Sequence, residues 1–221
     1  MVNSSKTSSK EIPKKQRRVA SEDREDFKQK LRNIAADLFA KEGYEAVSIR
    51  RIAALAGCSP MSLYNYFPSK HALLRALWQQ IFERLHASCI AAIKEHRSPQ
   101  KQLKAHLMQW LKFWIDEPDS YKVVFLESDT IESPGESYFA QEPIVQNLLM
   151  LVIDLVHKAY GISADELLNK RLVQIFLAQS VGYWHLYHTA PELGWTEDDT
   201  LREALADSMM LMLSAYHKAA L

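Results

Sequence analysis

Between two stretches of helical periodicity lies AGCSPMSLYNYFPSK, Ala56 to Lys70, with two prolines, a glycine and three aromatic residues. Helix interiors accept neither proline nor glycine without cost, so the segment reads as punctuation. Ser48 caps a short helix whose Ile49, Ile52 and Ala53 face inward and which ends near Gly57. Ser59 caps the next, with Pro60 at the first helical position, where a missing N–H costs nothing. Pro68 disfavours helical geometry at Phe67 and closes that helix, and Ser69 caps a long one. Two short helices joined by a glycine-containing turn make a helix-turn-helix, whose second helix enters the DNA major groove. Many helical hairpins bind no DNA, so the geometry leaves that use open.

The rest of the chain predicts an all-α protein. Residues 1–20 are Ser/Lys-rich, too polar to pack, and read as a disordered basic arm. From Ser21, acids favour a helix start, and Phe27, Leu31, Ile34, Leu38 and Phe39 form one apolar stripe that Gly43 ends. After the long helix from Ser69 to about His96, helices are expected near 100–116, 119–127, 143–160, 163–189 and 197–218, with an irregular loop from Ser128 to Glu142. Ser163 with Glu166 forms a capping box, and Thr196 caps the last helix. The expected organisation is a basic arm (1–20), a three-helix helix-turn-helix domain (21–75) and a larger helical domain (76–221).

Lys+Arg and Asp+Glu balance at 27 each, but residues 1–75 hold 15 bases against 8 acids and the remainder holds 12 against 19. Phosphate attraction depends on local charge, which makes the first third the nucleic-acid face, with a solvated charged helix as the alternative. The N-terminus lacks the apolar core of a secretory signal, and the greasiest run, IVQNLLMLVIDLV, is too interrupted to span a membrane. Cys58 and Cys89 have no paired-thiol spacing. A cytoplasmic protein is expected. No nucleophile elbow, phosphate loop or dinucleotide fingerprint occurs, so no enzyme and no cofactor is predicted. His185 and His188 sit three apart without a completing ligand set, which favours a pocket or interface pair over a metal site.

The segment KLRNIAADLFAKEGYEAVSIRRIAALAGCSPMSLYNYFPSKHALLRAL, Lys30 to Leu77, resembles the DNA-binding domain of the tetracycline-repressor (TetR) family of bacterial transcription regulators. The resemblance rests on the alanine-rich first helix ending in LF, Ser-x-Arg opening the second, IA-x-x-AG-x-S, then LYNYF, and a lysine shortly before LL. It implies that Ser48 and Arg50 anchor phosphate and that Tyr64 and Lys70 grip the backbone on either side of the groove. It places Pro60, Met61, Ser62, Asn65 and Tyr66 at recognition-helix positions facing bases or adjacent backbone. Ser59 either contacts DNA or only caps, and Arg51 has the same two readings. Met61 stands where many members have glycine, and either packs on a thymine methyl group or is merely exposed.

The resemblance further implies a helical C-terminal domain that binds a small molecule and forms a homodimer. The aromatic residues suggest a mostly apolar pocket bordered by Trp78, Phe82, Trp110, Trp114, Phe125 and Trp184. Ala178 and Gly182 permit close helix approach, and Leu201, Leu205, Met209, Met212 and Tyr216 form a stripe that either makes a four-helix dimer interface or completes the protomer's own core. The expected function is a regulator, a repressor, on a palindromic double-stranded operator, released by a small apolar or aromatic effector. The alternative is a helical binding or interaction module with vestigial DNA binding.

Overall fold

The computed structural model describes residues 14–126, 139–165, 171–195 and 199–219, and among them there is no strand. Helix α1 is Lys14–Glu42, α2 Ile49–Ala56, α3 Pro60–Tyr64 and α4 Lys70–Lys94. Then come α5 (Pro99–Asp116), α6 (Pro118–Tyr121), a π-helical stretch (Lys122–Leu126), a 3₁₀ turn (Phe139–Gln141), α7 (Pro143–Tyr160), α8 (Leu172–Thr189) and α9 (Thr200–Ala219). No helix among the described residues is long and apolar enough to cross a membrane.

Local chemistry sets the punctuation as expected. The hydroxyl of Ser48 accepts from Arg51 N–H, that of Ser59 from Ser62 N–H and that of Ser69 from Ala72 N–H. Gly57 ends α2 in the left-handed region, at φ 76°. A side chain would strain that backbone even though the space beside it is open. Lys30 Nζ, reaching from α1, donates to the Ala56 carbonyl at 2.9 Å and so ties the C-terminus of α2 to the first helix. Leu31, Ala35 and Phe39 of α1, Ile52 and Ala53 of α2, Leu63 beyond the turn, and Leu73 and Leu77 of α4 are buried in this first unit.

Helix α4 continues without a break past residue 75, where the second domain was expected to begin, and buries Trp78, Ile81, Phe82, Leu85 and Cys89 in the larger half. Arg84 grips Glu117 and Ser120 at the start of α6, holding that short helix against α4. Arg75 Nε donates to Glu142 Oε1 at 2.5 Å, joining α4 to the residue before α7.

Several expectations are corrected. Helix α1 starts at Lys14, so residues 14–20 of the arm are helical, and residues 1–13 lie outside the described residues. The helix expected over 119–127 is instead α6 followed by the π stretch. That expected over 163–189 is interrupted at Arg171, which adopts φ 56°, and α8 begins only at Leu172. Glu166 of the capping box, Thr196 and most of the 128–142 loop lie outside the described residues, while Phe139–Gln141 is a 3₁₀ turn. On α9, Met209 is buried and Leu205, Met212 and Tyr216 pack on the protomer's own core. The outward stripe is Leu201, Ala204, Ser208, Leu211 and Ala215.

Burial acts on two titratable core groups. Desolvation pushes the Cys89 thiol up to about 12, leaving it un-ionised at neutral pH. Desolvation, with a smaller repulsion from His86, pulls His106 down to about 4 from its ordinary 6.5, and its Nδ1 has no partner among the described residues. Between those two values the unfolded chain binds more protons than the folded one. Stability therefore falls as pH drops through this window, by up to about 3 kcal/mol from this group. Chemical denaturation at pH 7 and pH 4.5 should show that loss, and His106→Leu should flatten it.

Candidate nucleic-acid interface

Ser48 and Arg50 at the start of α2, Pro60 and Tyr64 of α3, and Ser69 and Lys70 at the start of α4 line one concave surface. Five of the ten expected DNA-contact residues therefore converge, although they come from three elements. Two helix N-termini open onto the same groove, and their unpaired N–H groups and dipoles favour an anion there. Tyr64 is 46% exposed, with its hydroxyl free to reach outward. The Lys70 ammonium lies 3.9 Å from the centroid of the Tyr44 ring, which places a cation at the lip of the groove. Tyr44 in turn is buried against Phe39 at 5.2 Å. This platform was missed in the sequence, where its only signal is an aromatic residue directly after the helix-ending Gly43.

The other expected contacts lie off that groove. Met61 is 73% exposed and Asn65 is exposed at the C-cap of α3, four positions apart on one face. Ser59 and Ser62 hydrogen-bond to each other at 2.9 Å, so each hydroxyl is partly engaged. Arg51 is held by both carboxylate oxygens of Glu42. Tyr66 faces α1, its ring 5.3 Å from Phe27 with the Arg24 guanidinium 5.6 Å from its centroid. Helix α3 ends at Tyr64, so the chain has already turned away from the groove at Tyr66, which packs α3 onto α1.

The six expected pocket residues come together as packed rings. Trp110 lies 5.4 Å from Trp184, Trp184 5.7 Å from Trp114, and Trp114 5.7 Å from Phe82 and 5.0 Å from Phe125. Phe139 joins Trp78 and Phe82 to the group at 6.0 and 5.7 Å. Two of the indoles reach backbone carbonyls: Trp184 Nε1 donates to Leu111 O at 3.1 Å and Trp78 Nε1 to Val123 O at 3.4 Å. A separate cavity of about 30 Å³, with purely apolar walls that include Leu107, Val156, Phe176 and Met209, lies where α5, α7, α8 and α9 meet. None of the six lines it. Among the described residues no cluster of His, Cys, Asp or Glu could hold a metal.

A capped helix-turn-helix with an anion-attracting groove, followed by a helical bundle, is an arrangement that suits a DNA-binding protein. Residues 31–77 match the family described as bacterial regulatory proteins, tetR family. The chain is 30% identical over 100 residues to the HTH-type transcriptional regulator RutR of Escherichia coli (strain K12), covering 45% of this chain and 47% of that one. It is 26% identical over 166 residues to the HTH-type transcriptional activator FasR of Mycolicibacterium smegmatis, covering 73% of each. The chain spans about half the length of RutR. Its fold is shared with AibR, solved in complex with isovaleryl coenzyme A and operator DNA, at TM-score 0.55 and 18% identity, over 84% of this chain and 97% of that one.

The packed rings make a stability forecast. Trp184 is wholly buried and bridges α8 to the α5 backbone, so Trp184→Ala should cost about 3–5 kcal/mol, read by urea denaturation.

Proposed function

We propose that the chain is a cytoplasmic, homodimeric transcriptional repressor that grips a palindromic operator through the α2–α3–α4 groove and is released by a small apolar or aromatic molecule bound in the C-terminal bundle. The observation that carries this is the convergence of Ser48, Arg50, Pro60, Tyr64 and Lys70 on one surface under two helix N-termini. Arg50 and Lys70 neutralise phosphates, while exposed Met61 and Asn65 on α3 reach base edges. AibR, which shares this fold, was solved holding both isovaleryl coenzyme A and operator DNA, which supports a fold that takes a small molecule as well as DNA. Helix α4 connects the two sites, with Lys70 in its first turn and Trp78 and Phe82 two and three turns on.

Dimerisation falls to the outward faces of α8 and α9. Ile175, Ala178 and His185 of α8 and Leu201, Ala204, Leu211 and Ala215 of α9 are exposed. The three largest apolar ones, Ile175, Leu201 and Leu211, are a surface that a second copy would cover. A twofold axis through it sets two recognition helices about 34–36 Å apart, one helical turn of DNA.

Selection from random duplexes should enrich a palindrome, with affinity falling steeply in salt. Lys70→Ala should weaken all sequences alike and lower the salt slope by about 1, whereas Asn65→Ala should change the preferred base at one position of each half-site, by about 1–3 kcal/mol. Failure of the folded dimer to enrich any palindrome at low salt overturns the reading.

Sedimentation should give twice the 25.4 kDa chain mass, and Leu211→Glu should give monomer without loss of helicity. A wild-type monomer at micromolar concentration would contradict the interface.

A further inference from the structure

Among the described residues, three donors inside the aromatic cluster have no hydrogen-bond partner, Trp110 Nε1, Trp114 Nε1 and Tyr121 Oη, and the last two flank one side chain. Trp114 is 0% exposed and Tyr121 1%. Buried donors are nearly always paired, and one left unpaired is costly. Both rings border the same side chain: Phe125 lies 5.0 Å from Trp114 and 5.2 Å from Tyr121. It also meets Phe139 at 5.6 Å and Trp184 at 5.8 Å, so it fills a box with four aromatic walls. Unlike Trp114, Tyr121 and Trp184, Phe125 is only half-buried, and the next residue, Leu126, is exposed. Both belong to the π-helical stretch Lys122–Leu126, a winding that is rare and recurs at functional sites.

The rival location is the apolar cavity between α5, α7, α8 and α9. Its roughly 30 Å³ falls far short of the several hundred that a small-molecule site occupies, and no polar group lines it.

We propose that the box of Trp114, Tyr121, Phe139 and Trp184 is a ligand site that Phe125 fills in the free chain, and that its ligand is a neutral, planar aromatic compound carrying a carbonyl oxygen. The compound is planar because it replaces a phenyl ring between ring walls. It carries an acceptor because the unpaired groups on either side of Phe125 are donors. It is neutral because, among the described residues, no cation stacks on the Trp114, Tyr121 or Trp184 ring. The imidazole of His188 stacks on Tyr121 at 4.6 Å with its Nε2 donating to the Trp114 carbonyl at 2.8 Å, and an unpaired buried carboxylate would be strongly disfavoured. The inference deepens the effector reading above, on which it rests for the compound's regulatory role; occupancy of the box needs no DNA.

The test uses the full chain without DNA, titrated with 2-acetylnaphthalene, naphthalene and 2-naphthoate and followed by tryptophan fluorescence and calorimetry. The ketone should bind about a hundredfold more tightly than either of the others, the equivalent of two buried hydrogen bonds at about tenfold each. Phe125→Ala removes the internal competitor and should tighten ketone binding about tenfold, since apparent affinity scales with the population of the open site. Tyr121→Phe keeps its ring and deletes one donor, and Trp114→Phe deletes the other while also trimming the indole to a phenyl ring. Each should weaken the ketone about tenfold, and Tyr121→Phe, which leaves no cavity, should leave naphthalene binding unchanged and not lower the melting temperature. Equal affinity for ketone and hydrocarbon overturns the proposal, as does an affinity untouched by both donor deletions. Should Phe125→Ala fail to fold, the two donor variants decide. If the ketone binds as stated but leaves operator affinity unchanged, the effector reading falls and the site stands; if no operator is bound at all, the DNA reading falls alone.

Discussion

The architecture depends on helix α4 being one uninterrupted rod. Its first turn is fixed by the Ser69 cap, with Lys70 held over Tyr44, and its body is buried from Leu73 to Cys89. At about 1.5 Å per residue, its 25 residues span about 37 Å, the scale of the whole domain. Helices α1, α5 and α7 pack directly against it. Helix α1 packs on its first half, α5 along its second, and α6 is tied to its middle by Arg84 and Glu117. A break in α4 would separate the groove from the bundle, because few other contacts join them: α1 against α6 and the π stretch.

Those remaining contacts matter for the same reason. Trp78 of α4 donates to the backbone of Val123, and Phe125 two residues later enters the aromatic box. The π stretch thus touches α1, α4 and the box within five residues. A change of winding there is felt by the first domain as well as by the bundle. Packed cores respond to such changes by switching between arrangements, since dense interiors do not deform continuously.

Cap chemistry was legible in the sequence because it is local. Ser48, Ser59, Ser69 and Gly57 each act within four residues of themselves, and each was read correctly. Tyr66 was not, because its direction depends on where α3 ends and on Phe27 and Arg24, some forty residues earlier in the chain. The interruption at Arg171 carries no glycine or proline to announce it, and a left-handed backbone is uncommon for arginine. The aromatic residues of the bundle were found, but whether rings enclose a space or fill it is decided by side-chain placement. Composition reports the rings and says nothing of Phe125 lying between them. The α9 stripe shows the same limit: period 3.6 identifies an apolar face, and Met209 and its neighbours satisfy the period while facing the protomer's own core.

Length gives α4 leverage. A tilt of about 5° about one end of a 37 Å rod moves the other by about 3 Å, estimated from the rise per residue. That is small for a bundle of packed helices and large for the groove, since a hydrogen bond near 2.9 Å is lost well before its atoms move 1 Å apart. On the dimer proposed above the same tilt would act twice, once at each half-site, and the free energies would add before they are exponentiated. A coupling of about 1–3 kcal/mol, enough to change affinity some 5- to 150-fold, is within what modest loss of phosphate contacts at two groove lips would produce. Whether a compound can supply it depends only on its differential affinity for the two arrangements. A core that buries unpaired donors is poised to supply that difference, because a ligand that satisfies them favours the arrangement in which Phe125 has withdrawn.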